Sequence, residues 1–263
     1  MRRIDKPEIL DSDDCSAEDI RTTLRDLGRV NRWFGGVSTT QAMIERVVST
    51  TGTRNFSLLE VAAGYGDAPR IAAQKLAERG ITLQITLLDR VRSHLLPDSS
   101  AVVADGLALP FAEGSFDLVS CNLFAHHLTP EQLARFVREA RRVCRCAVLV
   151  NDLVRHPMHL ALVYAGFPLM RNRISRVDGV ASVRRAYLPD EIRGIMLSAF
   201  SPEASPRIEI FRHYLFRMGV IVWNDFSRKS SSARPDSRGR LSPHRPSYLR
   251  QPRAAVPHTD LPI

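Results

Sequence analysis

The feature that most constrains this chain is the alternation between residues 56 and 152. Apolar runs recur as "FSLLEVAA" (56–63), "LQITLLD" (83–89), "AVVAD" (101–105), "FDLVSCNLF" (116–124) and "CAVLVND" (146–152). Helical spacing fills two of the gaps between them, "PRIAAQKLAERG" (69–80) and "PEQLARFVREARRV" (130–143). Near-continuous apolar strands need cover on both faces, and strands that alternate with helices supply it as parallel βαβ units of a doubly wound sheet. The start of the second helix is encoded locally. Thr129 can cap the amide of Gln132, Gln132 can reach back, and Pro130 stands where a missing N–H costs nothing.

Flanking segments complete the plan. Ser16 and Asp19 open a helix with Ile20, Leu24, Leu27, Val30 and Phe34 on one face, ending at Gly35 and Gly36. A second helix is expected around residues 39–50. After Asp152 the alternation stops, and residues 154–186 read as a capping insertion over the sheet edge. "LPDEIRGIMLSAF" then predicts a Pro-started helix, and "RIEIFRHYLFRMGVIVW" two strands joined tightly. The expected architecture is therefore α/β: a mostly parallel seven-stranded Rossmann-like sheet with N-terminal helices and a terminal antiparallel strand pair.

The formal charge of +9 invites a nucleic-acid partner until it is located. Residues 227–263 contribute a net +6 and hold six of the sixteen prolines, so they read as a disordered basic Pro/Ser/Arg-rich tail. Cys15, Cys121, Cys144 and Cys146 have no zinc-ribbon or disulfide spacing, which fits a reduced cytoplasmic compartment. No window approaches the 18 or so apolar residues of a membrane span.

Glu60 ends the first apolar strand, and "AAGYG" (62–66) then lets backbone approach a ligand before a helix whose free amides attract charge. A dinucleotide fingerprint fits poorly, because Gly64 and Gly66 match it but Pro69 takes the third glycine's place. An acid directly before the turn suits a cationic amino-acid head group better than a pyrophosphate. "LLEVAAGYGD" resembles the first motif of class I S-adenosylmethionine-dependent methyltransferases, an acid, an apolar residue, then GxGxG. Ala62 replaces the first glycine, which is tolerable if that position needs no positive φ.

The resemblance covers about residues 55–155 and extends to the small-molecule, quinone-type members of the family. It implies that S-adenosylmethionine is the cofactor. It also implies contacts from Glu60, Ala62, Gly64, Tyr65 and Gly66, and from Asp89 and Arg90 at the second strand end, where Asp89 takes the ribose hydroxyls. Asp105, Gly106 and Leu107 are expected at the adenine, and Asn122 beside the methionine part. The implied domains are a helical lid (1–52), a methyltransferase domain with its insertion (53–226) and the tail.

His126 and His127 follow the fourth expected strand and are the candidate general bases toward a phenol or enol. His156, His159, Tyr164 and Tyr187 could line the acceptor pocket, and Trp33 and Phe34 read as a hydrophobic anchor of the first helix or as part of a lid. Asn151 and Asp152 stand where magnesium-dependent catechol methyltransferases place metal ligands, but their partner acid is replaced by Cys121 or Asn122, so no metal is expected. The expected acceptor is a small aromatic or apolar molecule methylated at oxygen or carbon. The rival readings are a nucleic-acid methyltransferase, from the tail and the arginines of 171–185, and a catalytically silent cofactor-binding interaction protein.

Overall fold

A computed structural model describes residues 1–11, 15–96 and 101–224. The tail expected at 227–263 lies outside the described residues. Two helices come first, α1 (Ala17–Trp33) and α2 (Gly36–Thr51), followed by β1 (Asn55–Val61), α3 (Asp67–Ala77), β2 (Thr82–Asp89), β3 (Ala101–Val103), β4 (Phe116–Asn122), α4 (Pro130–Val143) and β5 (Cys144–Leu153). The insertion forms α5 (Pro157–Ala165) and α6 (Arg173–Arg185), and α7 (Pro189–Ser198), β6 (Ile208–Tyr214) and β7 (Arg217–Trp223) close the fold. The seven strands lie in the order β3-β2-β1-β4-β5-β7-β6. β1 to β5 are mutually parallel, and β7 runs antiparallel to both β5 and β6.

Side-chain alternation along the central strands divides the core in two. Leu59 and Val61, Val119 and Cys121, and Val148 and Val150 face one side, where Leu133, Phe136, Val137 and Ala140 of α4 and Ile192 and Met196 of α7 cover them. Leu58, Leu118, Ala147, Leu149 and Ile221 face the other, under Met43, Ile44 and Val47 of α2 and Leu76 of α3. The expected capping box at Thr129 forms, with the Gln132 amide donating to Thr129 Oγ1 and the Thr129 amide to Gln132 Oε1 at 2.9 Å. Ser16 likewise caps α1 by accepting from the Asp19 amide.

The insertion adopts structure that periodicity did not reveal. α5 is apolar all round and has no buried residue, while α6 packs on α1 and on the N-terminal segment. Asp178 of α6 anchors that segment by accepting from the amides of Ile9 at 2.7 Å and Leu10 at 3.0 Å. Residues 1–11 are thereby brought from the start of the chain to the carboxyl edge of the sheet.

Trp33 and Phe34 do not anchor α1, being 55% and 45% exposed. Leu24 is the buried apolar residue of that helix, and its inward face continues through Leu27 and Gly28 to Asn31 instead of running to the aromatic pair. His156 and His159 stack on Phe216, and Tyr187 is buried with its hydroxyl donating to the Leu128 carbonyl at 2.7 Å. None of the four aromatic residues expected near the acceptor lines the main cavity.

Candidate active site

The carboxyl ends of β1, β2 and β4 open into a cavity of about 570 Å³, within the span of roughly 300–1,000 Å³ usual for small-molecule sites. Its floor is the turn after β1. Gly64 and Gly66 have φ of +51° and +70°, and the Gly66 amide closes the turn on the Ala63 carbonyl at 2.8 Å. Ala62 also lies at positive φ, +54°. The condition under which alanine would be freely tolerated, a position without positive φ, is therefore not met, and alanine there carries a left-handed strain of about 1 kcal/mol.

Asp89 ties together the two turns expected at the cofactor. Its Oδ2 accepts from the Gly64 amide and its Oδ1 from the Val91 amide, each at 3.0 Å, so one carboxylate ties the first turn to the second. Burial works against its charge, but the hydrogen bonds from His94, Val91 and Gly64 outweigh it and hold the carboxyl below its usual range. Oδ1 also faces His94 Nδ1 at 3.5 Å, so Oδ2 is the oxygen that keeps a lone pair for a further donor. Asp105 accepts from the Leu107 amide at 2.9 Å, and a Cβ on Gly106 would stand 2.8 Å from Val61, so the backbone there can only be glycine without rearrangement. Ala62, Gly64, Tyr65, Gly66, Asp89, Arg90, Asp105, Gly106, Leu107 and Asn122 all line this one cavity. This continuous cradle, with a charged carboxylate poised between two backbone turns, fits a nucleoside bearing two hydroxyls.

Glu60 lies beneath that surface. It is buried, and its carboxylate accepts from Ser120 Oγ and, at 2.6 Å, from Asn122 Nδ2. Burial pushes its pKa up to about 7, against those two hydrogen bonds. Asn122, which does reach the cavity, accepts from Thr40 Oγ1 at 2.9 Å, and Thr40 Oγ1 in turn accepts from Asn151 Nδ2 at 3.0 Å. Glu60 thus sets the orientation of Asn122 within a polar relay that crosses the sheet. Cys121 is buried, and desolvation raises its thiol well above the usual value, which suits a packing residue.

The other half of the cavity holds His126 and His127, in a short 3-10 turn after β4. The turn starts after Leu123, a residue held at φ +54° with its amide bonded to the Asn151 carbonyl. His126 is buried. Its Nδ1–H donates to Asp152 Oδ1 at 2.7 Å, and its Nε2 lies 3.2 Å from Glu8 Oε1. Although burial disfavours its charge, Asp152 and Glu8 raise its pKa to about 9. His127 is 21% exposed, with Nδ1 at 3.1 Å from Asp11 Oδ2 and Nε2 at 3.6 Å from Glu8 Oε2. Glu8, Asp11, Gln132 and Ser182 line the cavity here, with Leu24, Leu27, Gly28 and Asn31 of α1.

Glu8 and Asp11 were missed from sequence because nothing in "KPEILDSDD" distinguishes them from surface acids. Their place is set by contacts with α6, from Asp178 to the Ile9 and Leu10 amides, from Ser182 to Glu8 and from Arg185 to Asp11. Asp152 was noticed as a metal ligand of another family, whereas here it holds His126.

Fold and cavity together define a Rossmann-like methyltransferase architecture. Residues 59–147 match the family described as a methyltransferase domain. No curated protein matches the chain. Among solved structures, a SAM dependent methyltransferase from Aquifex aeolicus superposes with TM-score 0.52 at 14% identity, covering 80% of this chain and 98% of its own. Human N-acetylserotonin methyltransferase in complex with SAM gives 0.56 at 12%, over 79% of this chain and 56% of its own. The plantazolicin methyltransferase BpumL, in complex with a monoazolic analog and SAH, gives 0.53 at 10%, over 79% and 87%. At these identities the likenesses show the fold, beside the methyltransferase-domain match at residues 59–147. The chain carries a class I methyltransferase domain, and it is an S-adenosylmethionine-dependent methyltransferase.

Proposed function

We propose that this enzyme methylates a small aromatic or apolar acceptor at a hydroxyl oxygen or an enol carbon, using the His126/His127 cluster to hold the nucleophile and receive its proton. The observation that carries the reading is that this cluster and the 62–66 turn line the same cavity. Bound S-adenosylmethionine supplies an electrophilic methyl group on a sulfonium that departs as a neutral thioether.

The chain's own contribution is alignment, water exclusion and proton handling. Asp89 and Asp105, with Gly64, Gly66, Gly106 and Leu107, fix the nucleoside, and Asn122, held by Glu60 and Thr40, faces the amino-acid part. Tyr65, Arg90 and Ala62 complete the wall. Leu24 and Leu27 of α1 line the cavity beside an apolar acceptor, with Glu8, Leu10, Asp11 and Ser182 as further wall. His126, fixed between Asp152 and Glu8, orients its neighbour. His127, the more exposed of the two, lies nearest the acceptor's hydroxyl, whose proton passes to the cluster as the new bond to carbon forms.

Two fold neighbours are named for small or peptidic acceptors, N-acetylserotonin and plantazolicin, which supports an acceptor of that size over a polymer. The test is to incubate the protein with methyl-labelled cofactor and a cell extract fractionated by size and polarity, then identify the labelled product by mass. Label in a small phenolic or enolic compound supports the proposal. Label confined to nucleic acid, or absent from every fraction, overturns it.

A further inference from the structure

We propose that Glu8, His126 and His127 form a binding site for one divalent transition-metal ion. One potential ligand atom from each of the three lies within 4.8 Å of the other two, and among the described residues no other such group is found.

The hydrogen-bond pattern argues for the ion. Both histidines spend Nδ1 on a carboxylate, His126 on Asp152 at 2.7 Å and His127 on Asp11 at 3.1 Å. With Nδ1 engaged on a carboxylate, each ring presents Nε2 toward one carboxylate, Glu8, at 3.2 Å for His126 and 3.6 Å for His127. In the ion-free protein a proton on His126 Nε2 bridges to Glu8, and a single cation can take its place, with these ligand atoms set about as far apart as ligands that share one. Metal to imidazole or carboxylate bonds of about 2.0–2.2 Å place neighbouring ligand atoms about 3.0–3.5 Å apart.

The outer contacts match as well. A carboxylate behind each ligating histidine fixes its tautomer and ring orientation in metal centres, and this site has two, on elements far apart in sequence. The third ligand is itself positioned, since Ser182 Oγ donates to Glu8 Oε1 at 2.6 Å. Asp178 holds the backbone on which Glu8 lies, through the Ile9 and Leu10 amides. Two imidazoles and one carboxylate are the donor set of zinc, iron(II), manganese or cobalt rather than of magnesium or calcium. All three ligands line the cavity, so an ion held by them would be open to an oxygen of the acceptor and would acidify it. That last step rests on the proposed acceptor chemistry, whereas the metal site itself does not.

The experiment needs neither cofactor nor acceptor, so its failure is distinguishable from failure of the methyl-transfer reading. The full chain is stripped with a chelator, dialysed and titrated with cobalt(II), following visible absorption and calorimetric stoichiometry. One equivalent should bind, and Glu8→Gln and His127→Gln should each weaken it at least tenfold, as even outer-contact substitutions do in metal sites. Surface Glu209→Gln should leave binding unchanged. X-ray absorption on cobalt-loaded wild type, which depends on no variant, should show imidazole and oxygen scattering. Absence of stoichiometric binding, binding equal in both site variants, or sulfur-dominated scattering would each overturn the proposal.

Discussion

Glu60 is protonated more readily in the folded protein than outside it, and this has a measurable consequence for stability. In the unfolded chain its pKa is near 4.5, and burial raises it to about 7 in the fold. Below 4.5 both states hold the proton and nothing is lost. Between 4.5 and about 7 the folded state keeps a proton that the unfolded state has released, so stability falls as pH rises. Above that window both states are ionised and the penalty is constant, at about 3 kcal/mol for a difference of this size.

Glu60→Gln isolates the effect. A glutamine carbonyl can still accept from Asn122 Nδ2, and its amide can donate to Ser120 Oγ, so the hydrogen bonds seen in the structure survive in altered form. The variant should melt within about 2 °C of wild type at pH 5 and some 6–12 °C above it at pH 8, since 1 kcal/mol moves Tm by roughly 2–4 °C at this size. Other groups titrate over the same range, but they do so in both proteins and cancel in the difference. Calorimetric melts of the cofactor-free proteins at half-unit pH steps are the assay. Parallel curves for the two proteins from pH 5 to 8, or a wild type that is the more stable at pH 8, would refute the assignment of a buried, charge-averse carboxyl at this site.

Other substitutions probe the turn and its tie. Ala62→Gly relieves the +54° φ and should raise stability by about 0.5–1 kcal/mol, read as a Tm increase of about 1–4 °C. Gly66→Ala adds a Cβ at +70° that meets the Leu87 methyls at 2.8 Å and 2.9 Å, and should cost about 1–3 kcal/mol in denaturant melts together with cofactor affinity. Asp89→Ala removes the acceptor shared by the Gly64 and Val91 amides. It should weaken S-adenosylmethionine binding at least ten- to a hundredfold by calorimetry, because hydrogen bonds to a charged group are worth about 1.5–3 kcal/mol each; unchanged affinity would remove Asp89 from the site. His127→Gln should reduce turnover of the identified acceptor at least tenfold while leaving cofactor affinity within about twofold, a split that a merely structural role would not produce.

The sequence by itself determined the sheet and its helices, because those depend on local periodicity and caps. The double-sided burial of β1, β4 and β5 is written in runs such as "FSLLEV" and "CAVLV", and α4 is bounded by the Thr129 box as expected. That the residues expected at the cofactor would gather in one cavity was legible for the same reason. Its residues lie at strand ends and in the turns that follow them, at positions the chain order dictates. Tertiary structure alone decided three things. It set the φ of Ala62, since the entry angle from β1 into α3 is imposed by the packing of both. It put Glu60 beneath the cavity wall, because the strand's alternation turns that side chain toward Ser120 and Asn122. It assembled Glu8, Asp11, Asp152 and the two histidines, which come from three distant segments and meet because an unforeseen helix, through Asp178, Ser182 and Arg185, holds the N-terminal segment at the sheet edge. No local pattern can encode a meeting of side chains more than a hundred residues apart.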